Sequence, residues 1–312
     1  METPDLPNHP FTLAMAREIG LSAATLFRLV RRGVLRHPVR DVYVPSAIPD
    51  GIELRCQTLR LVLPHDAFIC DRTASWLHAG DRALAPNEHL SVPPISCFRP
   101  SDHGRLRNKL VDSGEREIRP RDLMTIGGLT VTTPLRTALD LGRLQRTADL
   151  KLHGMDTMLG LGAFGYEQLL AEVPGFNRRR GVVELRVLAP LVDGGSESFG
   201  ESALRLRWYG AGLPRPQTQI SIRVHGREVY RIDLGLEDML FAAEYDGERW
   251  HGEEQAEQDE ERRRWLARVR GWAIEAFRKP HVFGTQQHAE QRLRTTYNTV
   301  RARHGLPPAY FV

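Results

Sequence analysis

The sequence has little cysteine. Its 312 residues include three cysteines, Cys56, Cys70 and Cys97, and their spacing matches neither a disulfide framework nor a zinc-binding motif. A small secreted domain held together by disulfides is therefore excluded, and so is a structural zinc site of the usual kind. Three unpaired thiols predict a protein that works in a reducing compartment.

The sequence also lacks a long apolar run. No stretch reaches the roughly 18 consecutive apolar residues that a membrane helix needs. The first ten residues, METPDLPNHP, contain neither the basic segment nor the apolar segment of a signal peptide. We therefore expect a soluble, cytoplasmic protein with no membrane partner.

Lysine is scarce, so arginine supplies most of the 43 basic residues. The net charge is +4 and the pI is about 9.1, values that are compatible with a nucleic-acid partner without requiring one. At 312 residues, the chain is long enough for two or three domains with buried cores.

Residues 11–44 have the pattern of two short helices joined by a turn that contains glycine. Thr12 and Ser22 are placed to cap the two helices, apolar residues recur at helical spacing, and Gly33 ends the second helix. Residues 34–44 follow as a short β-rich segment. This order predicts a winged helix-turn-helix domain over residues 1–50.

Arginines outnumber acidic residues in this block, as contact with DNA phosphates requires. The run GLSAATLFRLVRRGVLRHPVRDVYV resembles the N-terminal winged helix of the AbiEi-type antitoxins of type IV toxin–antitoxin systems. The resemblance implies operator binding and transcriptional repression; a helical pair with solvated arginines is the alternative. The predicted DNA-binding residues are Arg28, Arg31, Arg32, Arg36 and Arg40.

Residues 51–192 give a weaker signal of mixed α/β character. The run TPLRTALD, which starts at Thr133, resembles a helix start in the same antitoxin family, and Pro134 suits the first helical position. The glycine-containing segment from Val192 to Ser196 predicts a domain boundary. We therefore expect a mixed α/β scaffold before a third domain, residues 193–312.

The last third of the chain contains two β-rich runs with a short polar break at residues 237–238. The pattern predicts a β-hairpin, with Asp233 opposite Ala242 and diagonal to Glu244 on one face. Alternation along the strand puts Asp246 on that face too. Carboxylates this close stay ionised together if they share a cation, and hard oxygen ligands favour Mg²⁺ or Mn²⁺. Plain surface carboxylates are the alternative.

An aspartate followed about ten residues later by Glu-x-Asp on the next strand resembles the core of the PD-(D/E)XK nucleases. The run DGERWHG, residues 246–252, is similar to the branch that holds the very-short-patch-repair (Vsr) endonucleases and a related actinobacterial domain of unknown function. Glu201, the run GLPRPQTQ and the helix with Arg262 and Arg263 also match that branch in order. Position 246 departs from the best-known nucleases, which have lysine there.

The resemblance implies a metal site with Mg²⁺ or Mn²⁺ held by Asp233, Glu244 and Glu201. It implies that Asp246 binds a second metal or positions the water. A histidine is catalytic in the Vsr enzymes at the position that matches His251, and a histidine pKa near 6.5 suits a general base. The charge of the missing lysine would come from a metal, from His251, or from Arg231 or Arg249. The predicted catalytic residues are Glu201, Asp233, Glu244, Asp246 and His251.

Together these patterns predict a multi-domain α/β protein. Its parts are an N-terminal winged helix-turn-helix, a mixed α/β middle and a C-terminal restriction-endonuclease-like mixed sheet flanked by helices. The first functional hypothesis is a DNA-binding, metal-dependent endonuclease with a restriction or repair partner. The second is an AbiEi-like repressor or antitoxin, with a cognate toxin and an inactive nuclease-like fold.

Overall fold

The computed structural model describes residues 6–84, 93–247, 253–285 and 287–309, and over 253–259 it describes the backbone alone. Within these ranges it has three sheets and twelve α-helices, which confirms the mixed α/β class. The chain forms two compact units, divided between Thr137 and Ala138. None of the described helices is both long enough and apolar enough to cross a membrane.

The first unit begins with two short helices and a three-stranded antiparallel sheet. The predicted caps are confirmed: the Thr12 hydroxyl accepts a hydrogen bond from the Met15 N–H (3.2 Å), and the Ser22 hydroxyl accepts one from the Thr25 N–H (3.1 Å). Buried apolar side chains such as Leu26 form the local core. The elements are β1 (Phe11–Thr12), α1 (Leu13–Glu18), α2 (Ala23–Arg31), β2 (Leu35–Val39) and β3 (Val42–Pro45), in sheet order β1-β3-β2.

The rest of the first unit is built on a six-stranded sheet. Strand order is β6-β5-β4-β9-β8, with β7 paired to β5. Leu59 of helix α3 packs in one core with Ile69 and Val131 of the sheet. The elements are α3 (Ile52–Arg60), β4 (Phe68–Ile69), α4 (Asp71–Ala79), β5 (Ile95–Pro100), β6 (Val111–Asp112), β7 (Glu115–Arg116), β8 (Leu123–Ile126) and β9 (Leu129–Thr132).

The second unit contains a four-stranded sheet of order β10-β11-β12-β13. The last two strands are parallel, and the other pairs are antiparallel. Helix α5 begins at Pro134, as predicted, and crosses the division between the units. The elements are α5 (Pro134–Leu144), α6 (Ala148–Leu159), α7 (Tyr166–Glu172), α8 (Val182–Leu188), α9 (Phe199–Gly210), β10 (Gln217–Val224), β11 (Arg227–Leu236), β12 (Phe241–Tyr245), α10 (Glu253–Arg270), β13 (Ala273–Phe277), α11 (Lys279–Val282) and α12 (Ala289–Arg303).

Apolar side chains cover both faces of this sheet. On one side, Trp208 of α9 stacks on Phe241 of β12 at 5.0 Å between ring centroids, and Tyr297 of α12 joins them. Ala242, the next residue of β12, packs with Leu266 of α10 in a separate cluster. Because side chains alternate along a strand, Glu244 shares the α10 side with Ala242.

The predicted hairpin is confirmed as β11 and β12, but its predicted register is wrong. Ala242 pairs with Gly235 and not with Asp233. The connection runs through a short 3₁₀ turn, Glu237–Met239, and Leu240 in the left-handed region (φ 49°), so the turn is centred one residue later than expected. The last pair of the ladder is Leu234 with Ala243, so the next position along the two strands places Asp233 across from Glu244.

Candidate functional site

An open cleft of about 340 Å³ lies where β11, the end of β12 and α10 meet. A parallel strand pair needs a crossover, and α10 provides it between β12 and β13. The helix therefore lies beside the strand that carries Glu244. Charged groups dominate the cleft. The charged residues that line it are Arg231, Asp233, Glu244, Asp246, Arg262 and Arg263.

Glu244 is the most buried of these charged groups, at 5% exposed. The Tyr230 hydroxyl donates a hydrogen bond to its Oε2 (2.7 Å), and Arg263 Nη1 lies 3.5 Å from the same oxygen. The other oxygen, Oε1, is buried without a hydrogen-bond partner. Burial raises the pKa of Glu244 to about 7, although Tyr230 and Arg263 oppose the shift. A buried carboxylate with an unpartnered oxygen lowers the stability of the fold unless a bound cation or a proton neutralises its charge.

Asp233 lies beside Glu244 and is partly buried. Its Oδ2 accepts a hydrogen bond from the Tyr245 N–H at 2.7 Å. Burial raises the pKa of Asp233 well above its usual value, and the negative charges of Glu201, Glu244 and Asp246 raise it further. The structure therefore places Asp233 of β11 beside Glu244 of β12, two of the acidic residues that the sequence singled out.

Glu201, in the first turn of α9, adds its negative charge to the surroundings of Asp233. The Ser198 hydroxyl caps that turn, and Glu201 Oε2 accepts hydrogen bonds from the Glu197 N–H (2.8 Å) and from Gln219 Nε2 (2.9 Å). Burial raises the pKa of Glu201. Gln219 has a left-handed backbone (φ 53°), and the β10–β11 ladder has no bridge between it and Asp233. This irregularity lies at the site, as such features often do.

Asp246 follows β12 and pairs with Arg263 of α10. Arg263 Nη1 is 2.9 Å from Asp246 Oδ1 and 3.2 Å from Oδ2. The sequence placed Arg263 in the helix after the hairpin and gave it no role. The spacing in the sequence did contain a signal for its position, because Arg263 lies three residues before the apolar Leu266. In the structure Leu266 is fully buried. A helical residue at that spacing faces the same side.

The carboxylates of the cleft are oxygen donors, the type of ligand that hard divalent cations prefer. Within the described ranges, no group of three or more His, Cys, Asp and Glu side chains is close enough to hold a metal ion. The unpartnered Glu244 Oε1 and the mutual repulsion with Asp233 nevertheless suit a hard cation. A cation bound beside this pair would add to the positive charge that Arg263 already supplies.

Two predicted participants fall outside the described residues. His251, the proposed base, and Arg249 both lie in the segment 248–252. Arg231, another candidate for the missing positive charge, lies on the rim of the cleft and pairs with Glu197 at 3.0 Å.

The predicted DNA-binding arginines lie in the first unit, and four of the five are exposed. Arg28 donates to the Thr25 hydroxyl within α2 (3.2 Å), and the Arg31 guanidinium lies 6.0 Å from the ring centre of the exposed Phe27. Arg36 is different. It is partly buried, and its guanidinium donates to the Ile48 carbonyl. The four exposed residues are Arg28, Arg31, Arg32 and Arg40.

The fold and the cleft define a mixed α/β protein with one buried and two partly buried carboxylates where β11, the end of β12 and α10 meet. No family model matches the chain. It is 36% identical over 227 residues to the uncharacterized protein Rv2248 of Mycobacterium tuberculosis strain H37Rv, and to the uncharacterized protein MT2308 of strain CDC 1551. The match covers 70% of this chain and 77% of each relative. The chain belongs to the family of these mycobacterial proteins.

Proposed function

We propose that the protein is a divalent-metal-dependent endonuclease that hydrolyses phosphodiester bonds in DNA. The observation that carries the proposal is Glu244, a buried carboxylate with an unpartnered oxygen, next to Asp233 in a cleft that arginines also line. Acidic groups in a buried cluster reduce stability. Carboxylates and arginines in one cleft are expected where the carboxylates bind a cation and the arginines bind a phosphate.

In this proposal, Asp233, Glu244 and Glu201 would hold Mg²⁺ or Mn²⁺. The metal would supply Lewis-acid polarisation of the phosphate and a water of lowered pKa. Tyr230 fixes the orientation of Glu244 through its hydrogen bond. Arg262 lines the cleft and would neutralise phosphate charge. His251 remains the proposed base.

The first unit would supply DNA affinity through a winged helix-turn-helix. Three arginines are exposed on α2 or immediately after it, and the exposed Phe27 lies among them. A helix of this composition suits contact with phosphates and base edges in a major groove. We propose DNA as the partner and the cytoplasm as the location.

The second candidate function is an AbiEi-like transcriptional repressor or antitoxin whose nuclease-like unit is inactive. Two observations favour it. Asp246 occupies the position of the usual lysine and is paired with Arg263. The described residues also contain no closed group of metal ligands. In that case DNA binding by the first unit would be the activity, and a cognate toxin would be the partner.

Cleavage of DNA by the purified protein with Mn²⁺, with and without chelator, separates the two functions. We expect cleavage that the chelator abolishes, and a loss of roughly 10³-fold or more in Glu244→Gln, because the variant keeps the shape of the side chain and removes a charged ligand. Glu237→Gln is the matched control, since Glu237 is an exposed carboxylate on the same hairpin. If wild-type protein leaves single-stranded, duplex, mismatched and branched DNA intact, the nuclease proposal is wrong.

A further inference from the structure

Arg263 is the one cation recorded within 4 Å of both Glu244 and Asp246 in the part of the chain that the structure describes. Its Nη1 lies 2.9 Å from Asp246 Oδ1 and 3.5 Å from Glu244 Oε2. The guanidinium therefore bridges the two carboxylates of the Glu-x-Asp run. It comes from α10, whereas Glu244 lies on β12 and Asp246 directly after that strand.

The Arg263 side chain is much less exposed to solvent than that of Arg264. It is 12% exposed, while Arg264 is 61% exposed. Leu266, one turn further along α10, packs fully buried on the same side of the helix. Glu260, three residues earlier, lies 3.6 Å from Arg263 Nε. A guanidinium that is shielded from solvent and held by several neighbours acts as a preorganised charge. A solvated surface arginine does not act in this way.

We propose that Arg263 supplies, from α10, the fixed positive charge that position 246 lacks, and that Asp246 is the positioning residue that holds it beside Glu244. The inference rests on the proposed nuclease function and adds a phosphate-stabilising residue to that site. The guanidinium donates hydrogen bonds to phosphate oxygens and offsets the charge that develops on them. It forms no covalent bond and takes no proton, because arginine stays protonated.

This role predicts opposite effects on metal affinity and on turnover. Arg263→Met removes a positive charge next to Glu244, so Mn²⁺ should bind roughly 5- to 100-fold more tightly. Cleavage should fall by roughly 10²–10³-fold, the usual effect of losing one preorganised donor. A merely structural arginine would weaken both, because its loss would disorder the site. Arg263→Lys keeps the charge and should retain about a tenth or more of the activity.

The decisive experiment moves the charge from one element to the other. Mn²⁺ affinity by calorimetry and DNA cleavage should be measured in the full chain for wild type, Arg263→Met, Asp246→Lys and the double variant. Asp246→Lys alone places two cations together and should lose activity. The double variant returns one cation beside Glu244 and should recover at least 10-fold over Arg263→Met. Arg264→Met is the matched control and should behave as wild type.

The outcomes separate the two proposals. Wild-type protein that neither binds Mn²⁺ nor cleaves DNA would overturn the nuclease function and this inference with it. A wild type that cleaves, together with an unimpaired Arg263→Met or a double variant no better than Arg263→Met, would overturn the role of Arg263 alone. Thermal unfolding of each variant shows whether it is folded. If Arg263→Met is unfolded, Arg263→Lys decides: a folded Arg263→Lys that keeps about a tenth or more of the activity supports the role, and one that keeps none overturns it.

Discussion

At the scale of single residues, the buried charge of Glu244 lowers the stability of the folded protein at a position proposed to be functional. The carboxylate is 5% exposed at the wall of the cleft, and its hydrogen bond from Tyr230 satisfies one of its two oxygens. A glutamine of the same shape would remove the charge and keep an acceptor for Tyr230. Functional positions often carry such a cost, which the rest of the fold offsets.

Glu244→Gln should therefore be more stable than wild type when a chelator keeps metal away. The pKa of Glu244 is raised to about 7 in the folded protein, above an unfolded value of about 4.3. An acid with a raised pKa contributes stability below its unfolded pKa and loses it as the pH rises through the folded value. The advantage of the variant should grow between pH 4 and pH 7, to about 3–4 kcal/mol.

Urea unfolding of wild type and Glu244→Gln at several pH values, in chelator, checks this expectation. Glu237→Gln serves as the control and should show no such trend. A variant that is less stable than wild type at pH 8 would contradict the view that the buried charge is a burden. Added Mn²⁺ should reverse the order, because it stabilises the wild type alone.

At the scale of elements, an ion pair inside the second unit fixes the helix that carries Glu201. Arg205 of α9 and Asp156 of α6 are both fully buried and in direct contact. Asp156 also accepts a hydrogen bond from the Asp193 N–H (2.9 Å). Burial raises the pKa of Asp156, and Arg205 opposes that shift. Glu201 lies one turn before Arg205, so the pair sets the position of the site.

Arg205→Met should destabilise the protein by about 3–5 kcal/mol, because it leaves the Asp156 charge buried and unpaired. Arg207→Met is the matched control. Arg207 joins the same two helices through Asp149 but is more exposed, so its loss should cost about 1 kcal/mol or less. Adding Asp156→Asn to Arg205→Met should recover part of the loss. Chemical unfolding measures all three, and equal effects of the two arginine variants would refute the argument.

At the scale of the whole molecule, the two compact units divide the proposed work between binding and cleavage. The exposed arginines of α2 belong to the first unit, and the carboxylate cleft belongs to the second. Substitutions on α2 should therefore change the affinity for DNA and leave the rate at saturating DNA intact. This separation is a property of the full chain, so it is tested in the full chain.

Arg28→Ala with Arg31→Ala should weaken DNA binding and lower the salt dependence of log K by about two units in slope, one for each phosphate contact. KM should rise while kcat stays within about twofold. Arg105→Ala with Arg107→Ala removes the same charge from exposed positions elsewhere in that unit and is the control. An unchanged slope in the α2 variant, or an equal loss in the control, would contradict a specific role for α2.

Arg36→Ala should mainly lower the stability of the fold, since the Arg36 guanidinium donates a hydrogen bond to the Ile48 carbonyl.

Much of the local structure was readable from particular residues. Thr12, Ser22 and Pro134 predicted helix starts that the structure confirms, because capping depends on a few neighbouring atoms. The hairpin register was predicted one residue early, because a compact polar break does not reveal that Leu240 takes a left-handed backbone. That difference moves Asp233 from diagonal to directly opposite Glu244.

The sequence by itself determined the mixed α/β class, the paired strands and the acidic residues that share them, since alternation and capping are local properties. The tertiary structure alone decided which charges meet. It brought Glu201 from α9 into the electrostatic field of Asp233, and it placed Arg263 of α10 between Glu244 and Asp246. Contacts between residues far apart in the chain depend on how helices pack on a sheet, and packing is set by the whole core and by no single motif.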